Sequence, residues 1–144
     1  MLIGQYHTSI SSKGRTAVPV KLRGELGQAV IVTRWYESSL ALFSISSWEG
    51  VQRDILEGAS LTGALRGTER FLFGGAYEVE FDEQGRFVVP QTLRQHAGLL
   101  SKIVFLGVKD RVEIWDEEAW SKVEKSITKT AEKLIEQVEK ERRA

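Results

Sequence analysis

One stretch of this chain is written twice. Ser11-Ser12-Lys13-Gly14-Arg15-Thr16-Ala17-Val18-Pro19-Val20-Lys21-Leu22-Arg23 returns as Asp82-Glu83-Gln84-Gly85-Arg86-Phe87-Val88-Val89-Pro90-Gln91-Thr92-Leu93-Arg94. Gly14/Gly85, Arg15/Arg86, Val18/Val89, Pro19/Pro90, Leu22/Leu93 and Arg23/Arg94 all match at one offset, 71. The only two prolines form one of these pairs, and Trp48 matches Trp120 at 72, so one residue enters between. A repeat decides architecture before any local reading, because each unit must bury its apolar face against another. Each copy is near the size, roughly 40 residues, below which a lone core fails. The copies must therefore share a core or lean on other subunits. Any surface made by the copied turn is present twice.

The residue pattern predicts one element order in both copies: strand, tight turn, strand, short helix, strand, strand, longer helix. Tyr6-His7-Thr8-Ser9-Ile10 reads as extended, Lys13-Gly14 as a turn and Thr16-Ala17-Val18 as a strand. Pro19 opens a helix that Gly27 closes as a left-handed cap, and Pro90 and Gly98 repeat that eight-residue spacing. Ala29-Val30-Ile31-Val32 and Leu40-Ala41-Leu42-Phe43 read as strands, with counterparts Ile103-Val104-Phe105-Leu106 and Val112-Glu113-Ile114-Trp115. The alternation Tyr77-Glu78-Val79-Glu80-Phe81-Asp82 opens the second copy. Ser46-Ser47-Trp48-Glu49 fits a capping box for a helix toward Leu56. Residues 58–67 read as a connection and Gly74-Gly75 as a second break. In the helical tail, Trp120, Val123, Ile127, Ala131, Leu134 and Val138 make a narrow apolar seam. Either its first turns alone pack on the body, or the seam is a subunit contact. The implied units are 5–51, a connection at 52–75, 76–123, and a helical extension at 124–144.

The absence of cysteine excludes a disulfide framework, a thiolate metal site and a cysteine nucleophile. No apolar run reaches the 18 or so residues that span a membrane, and no basic-then-apolar start marks secretion, so the expectation is a soluble cytoplasmic protein. The formal net charge of zero does not itself suggest nucleic acid. Its distribution is uneven: residues 1–34 hold Lys13, Arg15, Lys21, Arg23 and Arg34 against Glu25 alone. Local asymmetry outweighs the total, because screening confines surface charges to about 8–10 Å. His7 and His96 lie in unlike contexts and do not suggest a metal site. Gly58-Ala59-Ser60 lacks the partners of a nucleophile elbow, and Gly74-Gly75 lacks the pattern of a phosphate loop. No cofactor, metal or enzymatic constellation is expected.

Lys13-Gly14-Arg15 and Gln84-Gly85-Arg86 are the candidate site. A turn between strands projects side chains from a rigid base. An arginine there presents a planar fork that can take guanine O6 and N7 together or grip a phosphate. Glycine lets backbone approach a ligand closely. Lys13 adds phosphate attraction, while Gln84 can read adenine N6 and N7. The alternative is structural: Asp82 and Arg86 pair to brace the turn. Arg23 and Arg94, in the short helices, read as structural or backbone-contacting.

Ser-Lys-Gly-Arg-x-x-x-Pro and Asp-x-x-Gly-Arg-x-x-x-Pro, each followed by Leu-Arg, resemble the signature of MraZ, a family of bacterial transcriptional regulators with two SpoVT-AbrB-type halves. The resemblance runs from Tyr6 to about Val123. It includes Thr33-Arg34, Arg70-Phe71-Leu72, Gly75-Ala76 and Glu113-Ile114-Trp115-Asp116. It implies an α+β, mainly β fold: two swapped-hairpin repeats forming one pseudo-two-fold β-barrel with helical extensions. It implies ring-shaped homo-oligomers that bind double-stranded DNA at direct repeats upstream of the division and cell-wall gene cluster. They would act there mainly as repressors, often of their own operon, on the nucleoid. Lys13, Gly14, Arg15, Gln84, Gly85 and Arg86 are the implied DNA-binding residues. The family's Asp-x-x-x-Arg motif falls on Asp82 and Arg86; in copy one the arginine is Arg15 and the acid position is Ser11. A second departure is Trp35-Tyr36-Glu37-Ser38 in place of a small glycine-rich turn. Its aromatics are buried, contact a neighbouring subunit, or stack on a nucleotide. The alternative function is an oligomeric protein-interaction scaffold without specific DNA binding.

Overall fold

The computed structural model describes residues 1–56 and 62–144, with Leu56 described through its backbone. The expected element order is present. The first copy runs β1 (Leu2–Ser9), β2 (Arg15–Ala17), α1 (Val20–Leu26), β3 (Ala29–Trp35), β4 (Ser39–Ser44) and α2 (Ile45–Leu56). After α3 (Gly63–Leu72), the second runs β5 (Tyr77–Glu80), β6 (Arg86–Val88), α4 (Gln91–Ala97), β7 (Lys102–Lys109), β8 (Arg111–Asp116) and α5 (Glu117–Arg143). The fold class is α+β, as expected, but it is not mainly β: helix outweighs strand, α5 alone taking 27 residues.

The copies interleave. One sheet has the order β1-β7-β8-β4-β3-β5, and a separate antiparallel pair joins β2 to β6. The order reads the same from either end once copies are exchanged: β1 answers β5, β7 answers β3, β8 answers β4. Register carries this to single residues. Thr8 pairs with Ile103, and its counterpart Val79 pairs with Val30. Leu40 pairs with Ile114 and Leu42 with Val112, which leaves Ala41 and Glu113 opposite each other on the pseudo-two-fold axis. Thr16 and Phe87 occupy the axis in the short pair. Among the described residues the strands form no single closed sheet, so the expected barrel is not seen as one. Turn bonds join the two ladders instead: Ser11 N–H donates to Arg15 O, and Asp82 N–H to Arg86 O.

Both copies feed one core, as their size required. Leu22, Leu26 and Val18 of copy one pack with Leu93, Ala97, Val89 and Phe87 of copy two between the ladders. On the sheet's outer face, Phe43, Trp48 and Leu72 pack under α2 and α3, and Val104, Trp115 and Trp120 under α5.

Several local expectations are corrected. β1 begins at Leu2 rather than Tyr6, because β7 offers partners back to Lys109. The register makes Ile103, not Val104, the counterpart of Val30. Two residues therefore enter before β7, and one is lost in the β7–β8 turn. Gly27 is not a left-handed cap: at φ 82°, ψ −177° it throws the chain straight into β3. Gly98, with three residues before β7, is one, at φ 59°, ψ 33°. The cap of α2 lies two residues before the expected box, where Ser44 Oγ accepts from Ser47 N–H at 3.1 Å. Most of the connection is helix: Thr62 Oγ1 accepts from Leu65 N–H and opens α3. Gly58-Ala59-Ser60 lies outside the described residues.

The aromatic β3–β4 turn folds inward at Trp35, which meets Phe43 edge-on at 5.4 Å, while Tyr36 stays half exposed. With no glycine there, Glu37 and Ser38 take the positive φ themselves, 56° and 58°. Trp120 is buried at the start of α5, whereas Ile127, Leu134, Ile135 and Val138 are exposed on this chain. No helix among the described residues is long and apolar enough to cross a membrane.

Candidate nucleic-acid interface

The β2–β6 pair brings the two copied turns together. Arg15 faces Val88 and Ala17 faces Arg86 across an antiparallel ribbon. Side chains alternate across a strand. Thr16 and Phe87 are buried, so Arg15, Ala17, Arg86 and Val88 share the outer face. Arg15 and Arg86 are diagonal neighbours there, with roots about 7–8 Å apart on ordinary ladder geometry. An open cleft along this face is lined by Thr8, Ser9, Arg15, Asp82, Arg86 and Val88. Arg15 and Arg86 thus share one face, although 71 positions separate them in sequence.

The turns that launch the ribbon are built alike. Gly14 N–H donates to Ser11 O and Gly85 N–H to Asp82 O, both at 2.9 Å. At the acid position, Ser11 Oγ accepts from Arg15 N–H at 3.0 Å. Asp82 does more. Its Oδ1 accepts from the N–H groups of Gln84 and Arg86 at 2.9 and 2.8 Å, and its Oδ2 from Arg86 Nε at 2.7 Å. These bonds hold the Asp82 carboxyl below the usual carboxylate range, first through the Arg86 backbone N–H and then through its guanidinium. The bracing read from sequence is real, and it leaves the far end of the Arg86 fork in solvent, the side chain being 65% exposed. Lys13, Gln84 and Glu83 are exposed beside it.

The glycines do not offer their backbone to a ligand as expected, because the protein itself uses it. Gly14 O accepts from Val89 N–H and Gly85 O from Val18 N–H. Both glycines are buried, at φ 85° and 76°. A Cβ on Gly85 would come within 2.5 Å of Arg23 Cζ, and one on Gly14 within 2.8 Å of Arg94 Cζ. Each helix arginine fills the glycine socket of the other copy's turn. Arg23 Nε then donates to Val18 O at 2.8 Å, and Arg94 Nη1 to Ser12 O at 3.1 Å. Arg23 and Arg94 are thereby structural.

His7 Nδ1 lies 3.1 Å from Glu117 Oε2, and His96 Nε2 lies 3.2 Å from Trp35 O, so the histidines do not meet. Among the described residues no group of three or more His, Cys, Asp or Glu could hold a metal. Sequence reasoning missed Ala17 and Val88, the apolar half of the ribbon's face. The signal was available: a chain whose copies exchange strands can pair the copied segment with itself, and alternation then sends both residues outward.

Comparison with known proteins shows the family. Residues 72–141 match the model of a family described as "MraZ protein, putative antitoxin-like". A transcriptional regulator MraZ of Caldanaerobacter subterraneus subsp. tengcongensis is 36% identical over 139 residues, covering 96% of this chain and 97% of that one. The transcriptional regulator MraZ of Clostridium botulinum is 42% identical over 127 residues, covering 88% and 89%. That of Leuconostoc mesenteroides subsp. mesenteroides is 40% identical over 121 residues, covering 84% and 85%.

Proposed function

From the premise that this chain belongs to the MraZ family of transcriptional regulators, we propose that it regulates transcription by binding double-stranded DNA sequence-specifically through the outer face of the β2–β6 ribbon. The observation that carries this is the placing of Arg15 and Arg86 on one exposed two-stranded ribbon. A ribbon of two strands fits the major groove, where base pairs present distinct donor and acceptor patterns, and an arginine fork matches guanine. Lys13 supports the contact through the phosphate backbone. Gln84 faces the groove beside it, and Gly14 and Gly85 set the turns. The role is binding, with no catalysis and no cofactor.

One ribbon on a chain of zero net charge binds weakly. A ring-shaped homo-oligomer presents several ribbons along a duplex, and tethering raises their effective concentration. Direct repeats at a fixed spacing then suit successive subunits. The corresponding operator lies upstream of the division and cell-wall gene cluster, this protein's own gene included, and the regulation is repression on the nucleoid.

The test is a titration of the purified protein onto labelled DNA from upstream of its own gene and onto scrambled DNA, at two salt concentrations, beside Arg15→Ala/Arg86→Ala. Tight, repeat-dependent binding that the double variant loses is expected. Each neutralised phosphate should contribute about −0.9 to the slope of log affinity against log salt. Equal binding to both DNAs, or none, would refute the proposal and favour a protein-interaction scaffold.

A further inference from the structure

Resting on that reading of the ribbon, we infer that its two arginines divide the work. Arg86, clamped by Asp82, reads a base edge, and Arg15, whose guanidinium no described residue clamps, holds a phosphate.

Two differences between the copies carry this. The first is geometry. Asp82 Oδ1 is fixed by two backbone N–H groups, so Oδ2 is a fixed acceptor, and it engages Nε of Arg86. A guanidinium held through Nε has its two terminal nitrogens left as an end-on fork in one orientation. That pair meets guanine O6 and N7. Base readout rewards such preorganisation, because the rotamer freedom of a long side chain is surrendered before binding rather than on binding. In copy one the same position is Ser11, whose single oxygen is spent on the Arg15 N–H and does not touch the guanidinium. Arg15 keeps its freedom, which suits a phosphate that can be approached from many directions.

The second difference is charge. Beside Arg15 stand Ser11, Ser12 and Lys13; beside Arg86 stand Asp82, Glu83 and Gln84. All of these are exposed. The first turn attracts a phosphate strand. The second repels one, its two carboxylates outweighing its single arginine. In the major groove, however, an unengaged carboxylate such as Glu83 can accept from cytosine N4, while phosphate lies at the groove's edge. The ribbon is therefore polar across its width, with an anchoring edge at Arg15 and a reading edge at Arg86. Asp82 is a positioning residue in this scheme.

The experiment measures affinity for own-gene upstream DNA and for scrambled DNA across a salt series, with the full chain and Arg15→Ala, Arg15→Lys, Arg86→Lys and Asp82→Ser. Asp82→Ser installs the residue copy one already uses at this position, so the turn keeps its bond to the arginine N–H; circular dichroism checks that it folds. Arg15→Ala should lower both affinities by the same factor and reduce the salt slope by about 0.9 per engaged subunit. Arg15→Lys should keep the salt slope and the operator-to-scrambled ratio, any loss of affinity being equal on the two DNAs. Arg86→Lys should keep the slope, since the charge remains, but cut the operator-to-scrambled ratio about tenfold or more, a bidentate pair having been lost. Asp82→Ser should cut the ratio in the same direction with Arg86 intact. The division of labour is overturned if the two lysine variants lose the ratio equally, or if Asp82→Ser keeps the parent ratio. A parent protein that never distinguishes the two DNAs would overturn the DNA reading itself, and that outcome is separate because it appears before any substitution.

Discussion

Glycine 85 is where the interleaved architecture can be tested with one methyl group. Ala at this position meets two independent obstacles. Its φ of 76° is in the region that costs an L-residue about 1–2 kcal/mol. Its Cβ would also come within 2.5 Å of Arg23 Cζ, so the guanidinium must leave. Arg23 then loses its bond to Val18 O, a part-buried bond to a charged group worth about 1.5–3 kcal/mol. Gly85→Ala should therefore cost about 3 kcal/mol. At roughly 2–4 °C per kcal/mol for a chain near this size, Tm falls by about 10 °C. Two other glycines separate the causes. Gly98 has φ 59° and nothing within 4 Å of a Cβ, so Gly98→Ala isolates the conformational cost, about 1 kcal/mol. Gly24, inside α1 with the same open space and ordinary φ, should gain up to about 1 kcal/mol as alanine. Urea unfolding at one fixed protein concentration measures all three, so that any self-association affects them alike. Removing the guanidinium removes the clash, so Gly85→Ala/Arg23→Ala should be more stable than the sum of its parts by about 1–2 kcal/mol. If Gly85→Ala costs no more than Gly98→Ala, or the double variant is simply additive, Arg23 does not fill the socket and the exchange of elements between copies is wrong at this point.

Two further perturbations follow from the same contacts. The Asp82 carboxyl is held below its ordinary range, so its stabilising contribution is present above the unfolded-state pKa, about 4, and fades as pH falls through the lower folded value. Asp82→Asn should therefore lower the urea midpoint at pH 7, and the gap to the parent should narrow as pH falls below the unfolded-state value; a gap unchanged by acid would contradict the ion pair. Arg34 Nε and Nη2 donate to Phe71 O and Arg70 O at 2.8 and 2.7 Å, closing carbonyls that the end of α3 leaves open. Arg34→Met should cost about 2 kcal/mol and raise amide exchange in α3 well before β3; uniform exchange across both would count against it.

What the sequence displayed and what it hid divide along the range of the forces. Pro19 and Gly27 bracket α1 and Pro90 and Gly98 bracket α4, because helix termini are local chemistry. The strands around Val30, Leu42, Phe105 and Ile114 were visible as short apolar runs, since buried strands carry that pattern wherever they pair. The turns at Gly14 and Gly85 stand out in the sequence as a candidate site because arginine at a hairpin is chemically conspicuous. Pairing was hidden. Nothing near Leu2 announces that Lys109 will extend β1, and nothing near Arg15 announces that Val88 will be its neighbour. The α2 cap is Ser44 rather than Ser46 because Ser44, Ser46 and Ser47 all offer the same oxygen, and strand β4 decides where the helix begins.

The duplication explains why the two halves of the ribbon can differ at all. In a symmetric dimer of one such unit, every residue on the two-fold axis faces its own copy, and any clamp present once is present twice. Fusing the units into one chain lifts that restriction. On the axis, Thr16 faces Phe87, small against large, in the layer that closes the core beneath the ribbon. At the second axial point Ala41 faces Glu113. The alanine leaves room for a buried carboxylate whose two oxygens accept from Trp115 Nε1 and Arg111 Nε, each at 2.9 Å. Two glutamates meeting there would be like charges directly opposed on a sheet, a destabilising pair, with no space for both sets of partners. The fused chain keeps one carboxylate and satisfies it. The same freedom puts Asp82 in one turn and Ser11 in the other, so a pseudo-symmetric scaffold presents a surface that is not symmetric. An asymmetric ribbon has a direction, and under the proposed reading that direction suits DNA sites arranged as direct rather than inverted repeats.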